Sequence, residues 1–274
     1  TQMYVFNGPN PDRDGTFDAD LVNHEFSHGL SIRLHRGRLN LQVQEGGMGE
    51  GWSDFFAMCL GAEEGDDFNG VYPMSGYATL QMHLGFVHNY YFGIRRFPYS
   101  TDMNKNPLTF ADIDDGQISF PTGVPRNSNV PNTASEVHNV GEVWCMTLLE
   151  CREYLSRSMG FAANAEMMQL AVDGMKLAVA SDLSFVTERD SLIQADMVNN
   201  GGANFTPLWR AFAKRGLGGG AVSASSNTSG VVESFALPFS VTYTFPQGWS
   251  DRLLSGAPVS FPVDLTSVGL TMTP

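Results

Sequence analysis

Apolar residues recur at roughly helical spacing along most of this chain, and the first such stretch begins near residue 18. Its apolar positions are Leu21, Val22, Phe26 and Leu30. Asp18 or Asp20 is placed to cap the start of this helix. The same periodicity predicts further helices: one ending near Gly61, and others over about 74–92, 136–158, 162–181, 187–199 and 205–216. We interpret the glycine-rich stretch at 46–51 as the connection into the second helix.

The strand pattern is confined to the two ends of the chain. Residues 3–6 are typical of a short strand, and alternation over 239–245 and 258–272 predicts two or three more. We therefore expect a mainly α fold in three parts. These are a helical lobe over residues 1–217, a Gly/Ser linker over 218–230 and a β-rich tail over 231–274.

Composition excludes several functions without selecting one. The 274 residues are 42% hydrophobic and 11% aromatic, which is ample for a core. The net charge of −13 argues against nucleic-acid binding, which requires basic patches. No apolar run approaches the roughly 18 residues of a membrane helix. Cys145 and Cys151 lie about 9 Å apart along one predicted helix, too far for a disulfide. Cys59 could meet one of them in space, but buried free thiols are the favoured interpretation.

The motif that most clearly indicates a chemical function is His24-Glu25-Phe26-Ser27-His28. Histidines four residues apart on a helix share one face, so both imidazoles can reach a single metal ion. The glutamate between them lies beside that line of ligands, where it can contact a metal-bound water. This is the HExxH arrangement of zinc peptidases.

A catalytic zinc takes three protein ligands and keeps one position open, and Glu50 can supply the third ligand. Asp54 follows four residues later on the same predicted helical face. Its carboxylate can accept a hydrogen bond from the far nitrogen of a ligand histidine and fix the tautomer. The metzincin pattern HExxHxxGxxH is excluded because Ser31 and Leu34 occupy its glycine and third histidine positions. His35 is out of register and is predicted to be a surface side chain at the helix end.

The segments HEFSHGLS (24–31) and GGMGEGWSDFFA (46–57) resemble the fungalysin family of secreted metallopeptidases, within the thermolysin-like gluzincins. The resemblance continues, in the same order, through residues 93–101, 135–144, 172–177 and 211–218. It covers roughly residues 1–236. It implies that this chain is the helical C-terminal lobe of such an enzyme, followed by the β-rich tail, and that the N-terminal sheet lobe is absent from the chain.

The resemblance also implies a role for each matching residue. His24, His28 and Glu50 would bind Zn²⁺, and Asp54 would hold a ligand histidine. Glu25 would activate the zinc-bound water, and His138 would hydrogen-bond the developing oxyanion. Arg95 falls where related enzymes hold a substrate carbonyl, although Arg96 is adjacent. The tyrosine that assists the oxyanion in thermolysin-like enzymes has no assigned position here.

These roles imply a secreted, zinc-dependent endopeptidase that acts on protein or peptide substrates. Two alternatives stay open: an aminopeptidase with the same site, and a proteolytic fragment or metalloprotease-derived module that binds zinc but acts structurally. The absence of a signal peptide and the start at Thr1 suggest a processed product. The N-terminal lobe is then expected as a separate partner chain, and neither nucleic acid nor membrane is expected as a partner.

Two weaker motifs remain. Calcium is a further candidate cofactor, with carboxylates at residues 63–67 and 112–115, but the sequence assigns it no site. Asn204-Phe205-Thr206 and Asn227-Thr228-Ser229 fit the glycosylation sequon, which matters only where the source glycosylates.

Overall fold

Two long helices carry the motifs that the sequence singles out, and they pack against each other. The computed structural model describes residues 5–6, 12–39, 42–80, 89–178 and 183–238. Two-residue strands β1 (Val5–Phe6) and β2 (Arg13–Asp14) pair antiparallel. The helices that follow are α1 (Ala19–Leu34), α2 (Val43–Leu60), α3 (Asn89–Phe92), α4 (Val137–Met159), α5 (Ala162–Leu177), α6 (Phe185–Asn200) and α7 (Phe205–Lys214). The predicted mainly α fold is confirmed.

Helix α1 begins where its cap dictates. The Asp18 carboxylate accepts hydrogen bonds from the backbone N–H groups of Asp20 (3.1 Å) and Leu21 (3.3 Å). The buried face of this helix is polar, since it consists of His24, Ser27 and Ser31. Phe26, by contrast, is 80% exposed. The helix therefore turns its histidines inward and leaves part of its apolar stripe uncovered.

The glycine-rich stretch at 46–51 is helical, so its prediction as a connection was wrong. Its glycines serve close packing between α2 and α4. A Cβ atom added at Gly51 would lie 2.6 Å from the Gly141 carbonyl oxygen, and one added at Gly47 would lie 2.2 Å from Val140 Cγ1. Larger residues at these positions would separate the two helices. The helix propensity that glycine lowers is offset by this burial.

The predicted helix over 74–92 is also largely wrong within the described residues. Residues 75–80 form turns, and α3 supplies a single helical turn; residues 81–88 lie outside the described part. Ser75 has a φ of 55°, in the left-handed region that interrupts a helix. Backbone bridges also hold this segment in extended contacts, Tyr72 with Tyr99 and Met74 with Gly93.

The core forms where α2, α4, α5, α6 and α7 meet. Trp52 on α2 packs edge-to-face on Trp144 of α4 with ring centroids 5.2 Å apart, and Trp144 contacts Phe185 of α6 at 4.8 Å. The three cysteines, Cys59, Cys145 and Cys151, are free and buried, which confirms the prediction. Within the described residues, no helix has both the length and the apolar character needed to span a membrane.

The segment predicted as a linker packs against the helices. Gly218 N–H donates to the Ser234 carbonyl (2.7 Å), and the Gln44 side chain donates to Ser223 Oγ (2.8 Å). The first compact unit of the chain accordingly extends to Pro238, beyond the boundary predicted at residue 217. The strands predicted over 239–245 and 258–272 lie outside the described residues.

We predict that Gly51→Ala lowers the free energy of unfolding by about 1–3 kcal/mol, because the new methyl group overlaps α4 backbone. Gly29→Ala is the matched control: it lies on α1, and a Cβ there meets nothing within 4 Å. That control should leave stability unchanged or raise it by up to about 1 kcal/mol. Urea denaturation followed by circular dichroism measures both. Equal stability of Gly51→Ala and wild type would refute the packing argument.

Candidate metal centre

Side chains from α1 and α2 converge at one point. The Nε2 atoms of His24 and His28 are 3.1 Å apart, and Glu50 reaches them from α2. Glu50 Oε2 lies 3.1 Å from His24 Nε2, and Glu50 Oε1 lies 3.5 Å from His28 Nε2. Among the described residues, this is the one group of three or more His, Cys, Asp or Glu side chains whose ligand atoms lie within metal-binding distance.

The three residues fit a zinc ion. Ligands about 2.0–2.1 Å from a tetrahedral centre lie roughly 3.4 Å apart, close to the three separations observed here. Glu50 Oε2 is buried and makes no hydrogen bond with proper geometry to any described residue. A buried carboxylate oxygen without a hydrogen bond is costly, and a cation between the three side chains would remove that cost. Two imidazoles and one carboxylate are ligands that zinc accepts.

Asp54 fixes the orientation of His24 from behind. Its Oδ1 lies 2.6 Å from His24 Nδ1, so that nitrogen donates and Nε2 is left to face Glu50. Burial disfavours protonation of His24, but the charges of Asp54 and Glu50 outweigh it and raise the His24 pKa to about 9. Burial likewise opposes ionisation of Glu50, yet His24, His138 and Arg95 lower its pKa to about 2. The site therefore attracts positive charge.

Arg95 lies against Asp54. Its Nε and Nη2 donate to the two carboxylate oxygens at 2.7 and 2.8 Å, and both side chains are almost completely buried. Burial favours the neutral form of Asp54, but Arg95 and His24 hold its pKa far below the usual range. Arg95 also lines a cavity beside His138. Arg96, the adjacent alternative, bonds to Glu142 instead and is fully buried away from this cavity.

His138 lies in the first turn of α4 and is half-exposed, with its Nε2 3.5 Å from Glu50 Oε2. Its Nδ1 lies 2.7 Å from the carboxylate of Glu136. That hydrogen bond raises the pKa of His138 against the opposing effect of burial, and so favours the charged form with a proton on both ring nitrogens. Glu136 also caps α4 by accepting from Asn139 N–H (3.1 Å).

Glu25 lies between the two histidines on α1 and is partly buried. Its charge acts on His28, whose pKa is lowered chiefly by burial and partly restored by Glu50 and Glu25. The carboxylate is therefore near the ligand atoms without being one of the three that converge. The role of Glu25 as a base toward a metal-bound water stays a prediction.

Comparison with known proteins shows the family of this chain. The profile of the fungalysin metallopeptidases (M36) matches residues 1–221. The chain belongs to the fungalysin family. It is 36% identical over 259 residues to an extracellular metalloproteinase MEP of Pyricularia oryzae, covering 88% of this chain and 36% of that protein. Extracellular metalloproteinase 4 of Arthroderma otae is 36% identical over 240 residues, covering 80% and 33%. This fungalysin chain thus spans about a third of the length of these relatives.

The sequence analysis assigned no role to Glu136 and Tyr99 of this fungalysin site. It also predicted the wrong environment for His35, which lies outside the site. Glu136 was missed, although its position two residues before His138 at a helix start was a usable signal. Tyr99, whose hydroxyl donates to Asp54, gave no local signal because it reaches the site only through the fold. His35 was predicted at the surface but is 2% exposed. It bonds to Ser31 O (2.8 Å) and to Glu188 of α6 (2.7 Å), whose side chain lies against the residue that ends α1.

Three of the carboxylates considered for calcium accept hydrogen bonds from backbone N–H groups. Asp66 accepts from Glu63 N–H and Asp67 from Asn69 N–H, both at 2.9 Å, in exposed turns. Asp114 accepts from Gly116 N–H at 2.8 Å and from Gly230 N–H at 2.7 Å. These contacts explain Asp66, Asp67 and Asp114 by local backbone bonding, and calcium remains without an assigned site.

We predict that Asp54→Asn lowers the free energy of unfolding by about 3–5 kcal/mol, because the buried Arg95 charge loses its partner. Glu153→Gln, which breaks a more exposed pair with Arg157, is the control and should cost at most about 1 kcal/mol. Both are measured by denaturant titration with the site free of metal. A loss below 1 kcal/mol for Asp54→Asn would contradict the account of this pair.

Proposed function

We propose that this chain carries the catalytic zinc site of a secreted endopeptidase that hydrolyses peptide bonds in proteins or peptides. The observation that carries the proposal is the convergence of His24, His28 and Glu50, with Glu25 and His138 beside them. Family membership and relatives described as extracellular metalloproteinases support it. The acidic net charge of −13 agrees with a secreted, soluble protein and with the absence of a nucleic-acid partner.

Each of these residues has its own role in hydrolysis. Zinc held by His24, His28 and Glu50 would supply a Lewis acid that polarises the peptide carbonyl and makes the attacking water more acidic. Glu25 takes the proton of that water and later delivers it to the departing amine. Proton transfer by a positioned side chain typically contributes 10²–10⁴-fold to a rate.

His138 stabilises the charge that develops on the carbonyl oxygen. Its Nδ1 lies 2.7 Å from Glu136, and its Nε2 faces the ligand side of the site, 3.5 Å from Glu50; in the charged form Nε2 can donate to the carbonyl oxygen. A single donor of this kind is typically worth about 10²–10³-fold in rate. Arg95 lines the same cavity, where a side-chain N–H left over from its pairing with Asp54 is available to a substrate carbonyl.

We propose that a partner lobe packs on the uncovered face of α1. Val22 and Phe26 on α1 are exposed, and so is Phe17 (75% exposed), which lies in the turn just before this helix. Because this chain spans about a third of its relatives' length, we propose that a sheet-rich lobe, on the same or a separate chain, covers these side chains. Without it, the chain would act as the structural zinc-binding module of the alternative interpretation.

We predict that Glu25→Gln lowers peptide cleavage by the zinc-loaded protease at least about 100-fold while zinc remains near one per chain. The amide keeps the shape of the side chain but cannot accept the proton. Cleavage of an internally quenched peptide and elemental analysis measure the two properties.

Glu50→Gln is the contrasting variant, because it alters a ligand and should lower the zinc content as well as cleavage. A chelator should abolish wild-type cleavage. Full activity of Glu25→Gln would overturn the role of the general base, and wild-type cleavage that survives metal removal would overturn the function itself.

A further inference from the structure

We propose that Tyr99 is a positioning residue of the zinc site, which acts by holding the Asp54 carboxylate in the one orientation that aligns His24. The inference rests on the proposed zinc function. Tyr99 does not reach the three ligand atoms, and its hydroxyl donates to Asp54 Oδ2. It therefore acts through Asp54 and then through His24.

Each of the two carboxylate oxygens of Asp54 accepts two hydrogen bonds. Oδ1 accepts from His24 Nδ1 (2.6 Å) and Arg95 Nη2 (2.8 Å). Oδ2 accepts from Arg95 Nε (2.7 Å) and from the hydroxyl of Tyr99. A carboxylate has about four lone-pair positions, so these four donors fill it. Asp54 is 1% exposed, so water does not replace a donor that is removed.

Without the hydroxyl, one lone pair of Oδ2 would be buried and unpaired. The carboxylate would gain by turning Oδ2 toward another donor, and any such turn moves Oδ1 away from His24 Nδ1. The direction of the His24 lone pair toward the metal depends on that contact. Tyr99 thus restrains a rotation that Arg95 and His24 alone leave open.

Tyr99 is itself rigidly placed. Its backbone exchanges two hydrogen bonds with Tyr72, at 3.1 and 2.9 Å, and its side chain is 1% exposed. Burial and the charge of Asp54 hold its pKa well above the usual range, so the phenol remains a donor. Residues 95–99 thus deliver both Arg95 and Tyr99 to the same carboxylate.

The test compares Tyr99→Phe with Tyr72→Phe. Tyr72 lies across the same backbone bridge, but its hydroxyl donates to the Asp67 carbonyl (2.9 Å), away from Asp54. We expect Tyr99→Phe to weaken zinc binding about 10-fold, the lower end of the effect of outer-sphere substitutions, and Tyr72→Phe to leave it unchanged. Affinity is measured by competition with a chromophoric chelator, and the visible spectrum of the Co²⁺-substituted protein reports ligand geometry.

A third variant separates positioning from general loss of packing. 4-Aminophenylalanine at position 99 keeps a donor at the ring tip and should bind zinc within about threefold of wild type. Zinc affinity of Tyr99→Phe within twofold of wild type, or an equal loss in Tyr72→Phe or in the amino variant, would overturn the inference. Absence of zinc binding in wild type would instead overturn the proposed function.

A separate observation concerns the two sequons. We infer that Asn227, and not Asn204, accepts an N-linked glycan when the chain passes through a glycosylating secretory pathway. Asn227 is exposed. Asn204 is 6% exposed, and its Nδ2 donates to Glu166 (3.1 Å) beneath the start of α7. A glycan on Asn204 is incompatible with that burial.

In the reaction, the Asn227 amide nitrogen forms a bond to the anomeric carbon of a lipid-pyrophosphate-linked oligosaccharide. The nitrogen loses one proton, and the lipid pyrophosphate leaves. The test is secretion of the chain by yeast and enzymatic deglycosylation in H₂¹⁸O, which converts a glycosylated asparagine into ¹⁸O-labelled aspartate. Peptide mass spectrometry should find the label at position 227 alone. A label at 204, or none at 227, would overturn the inference.

Discussion

Both the packing and the site depend on the hydrogen bonds and the ion pair of the buried Asp54 carboxylate. It joins His24 on α1, its own helix α2 and the segment that carries Arg95 and Tyr99. A carboxylate that is 1% exposed is stable only when its partners are complete, so each of these elements is held in one relative position. The charge that stabilises this arrangement also orients His24, which we propose as a metal ligand.

The second requirement is the close approach of α2 and α4. Gly47, Gly51 and Gly141 remove the side chains that would keep these helices apart. As a result, Glu50 on α2 and His138 at the start of α4 come within 3.5 Å of each other. The proposed ligands therefore come from α1 and α2, which pack against each other. The proposed hydrogen-bond donor, His138, comes from α4, which packs against α2. A site built on packed helices is held more firmly than one on loops.

The sequence predicts the parts of this arrangement that follow from local helical geometry. His24 and His28 share a face because they are four residues apart, and Glu50 and Asp54 repeat that spacing on α2. The mainly helical fold follows from the same periodicity. Contacts between segments that are distant in the sequence could not be predicted. Examples are the hydrogen bond from Tyr99 to Asp54 and the contact of His35 with Glu188, which is 153 residues away. The prediction of 46–51 as a connection was wrong for the same reason. A run of glycines indicates a turn in the local sequence, and its role in close helix packing follows only from the folded structure.

We propose that two imidazoles from α1 and one carboxylate from α2 hold a single zinc ion. X-ray absorption at the zinc edge tests it most directly, because it reports the type and distance of the ligand atoms without any substitution. The account predicts nitrogen and oxygen neighbours at about 2.0–2.1 Å, with the outer-shell scattering of two imidazoles and no sulfur. A sulfur shell near 2.3 Å, or a spectrum without imidazole scattering, would contradict it.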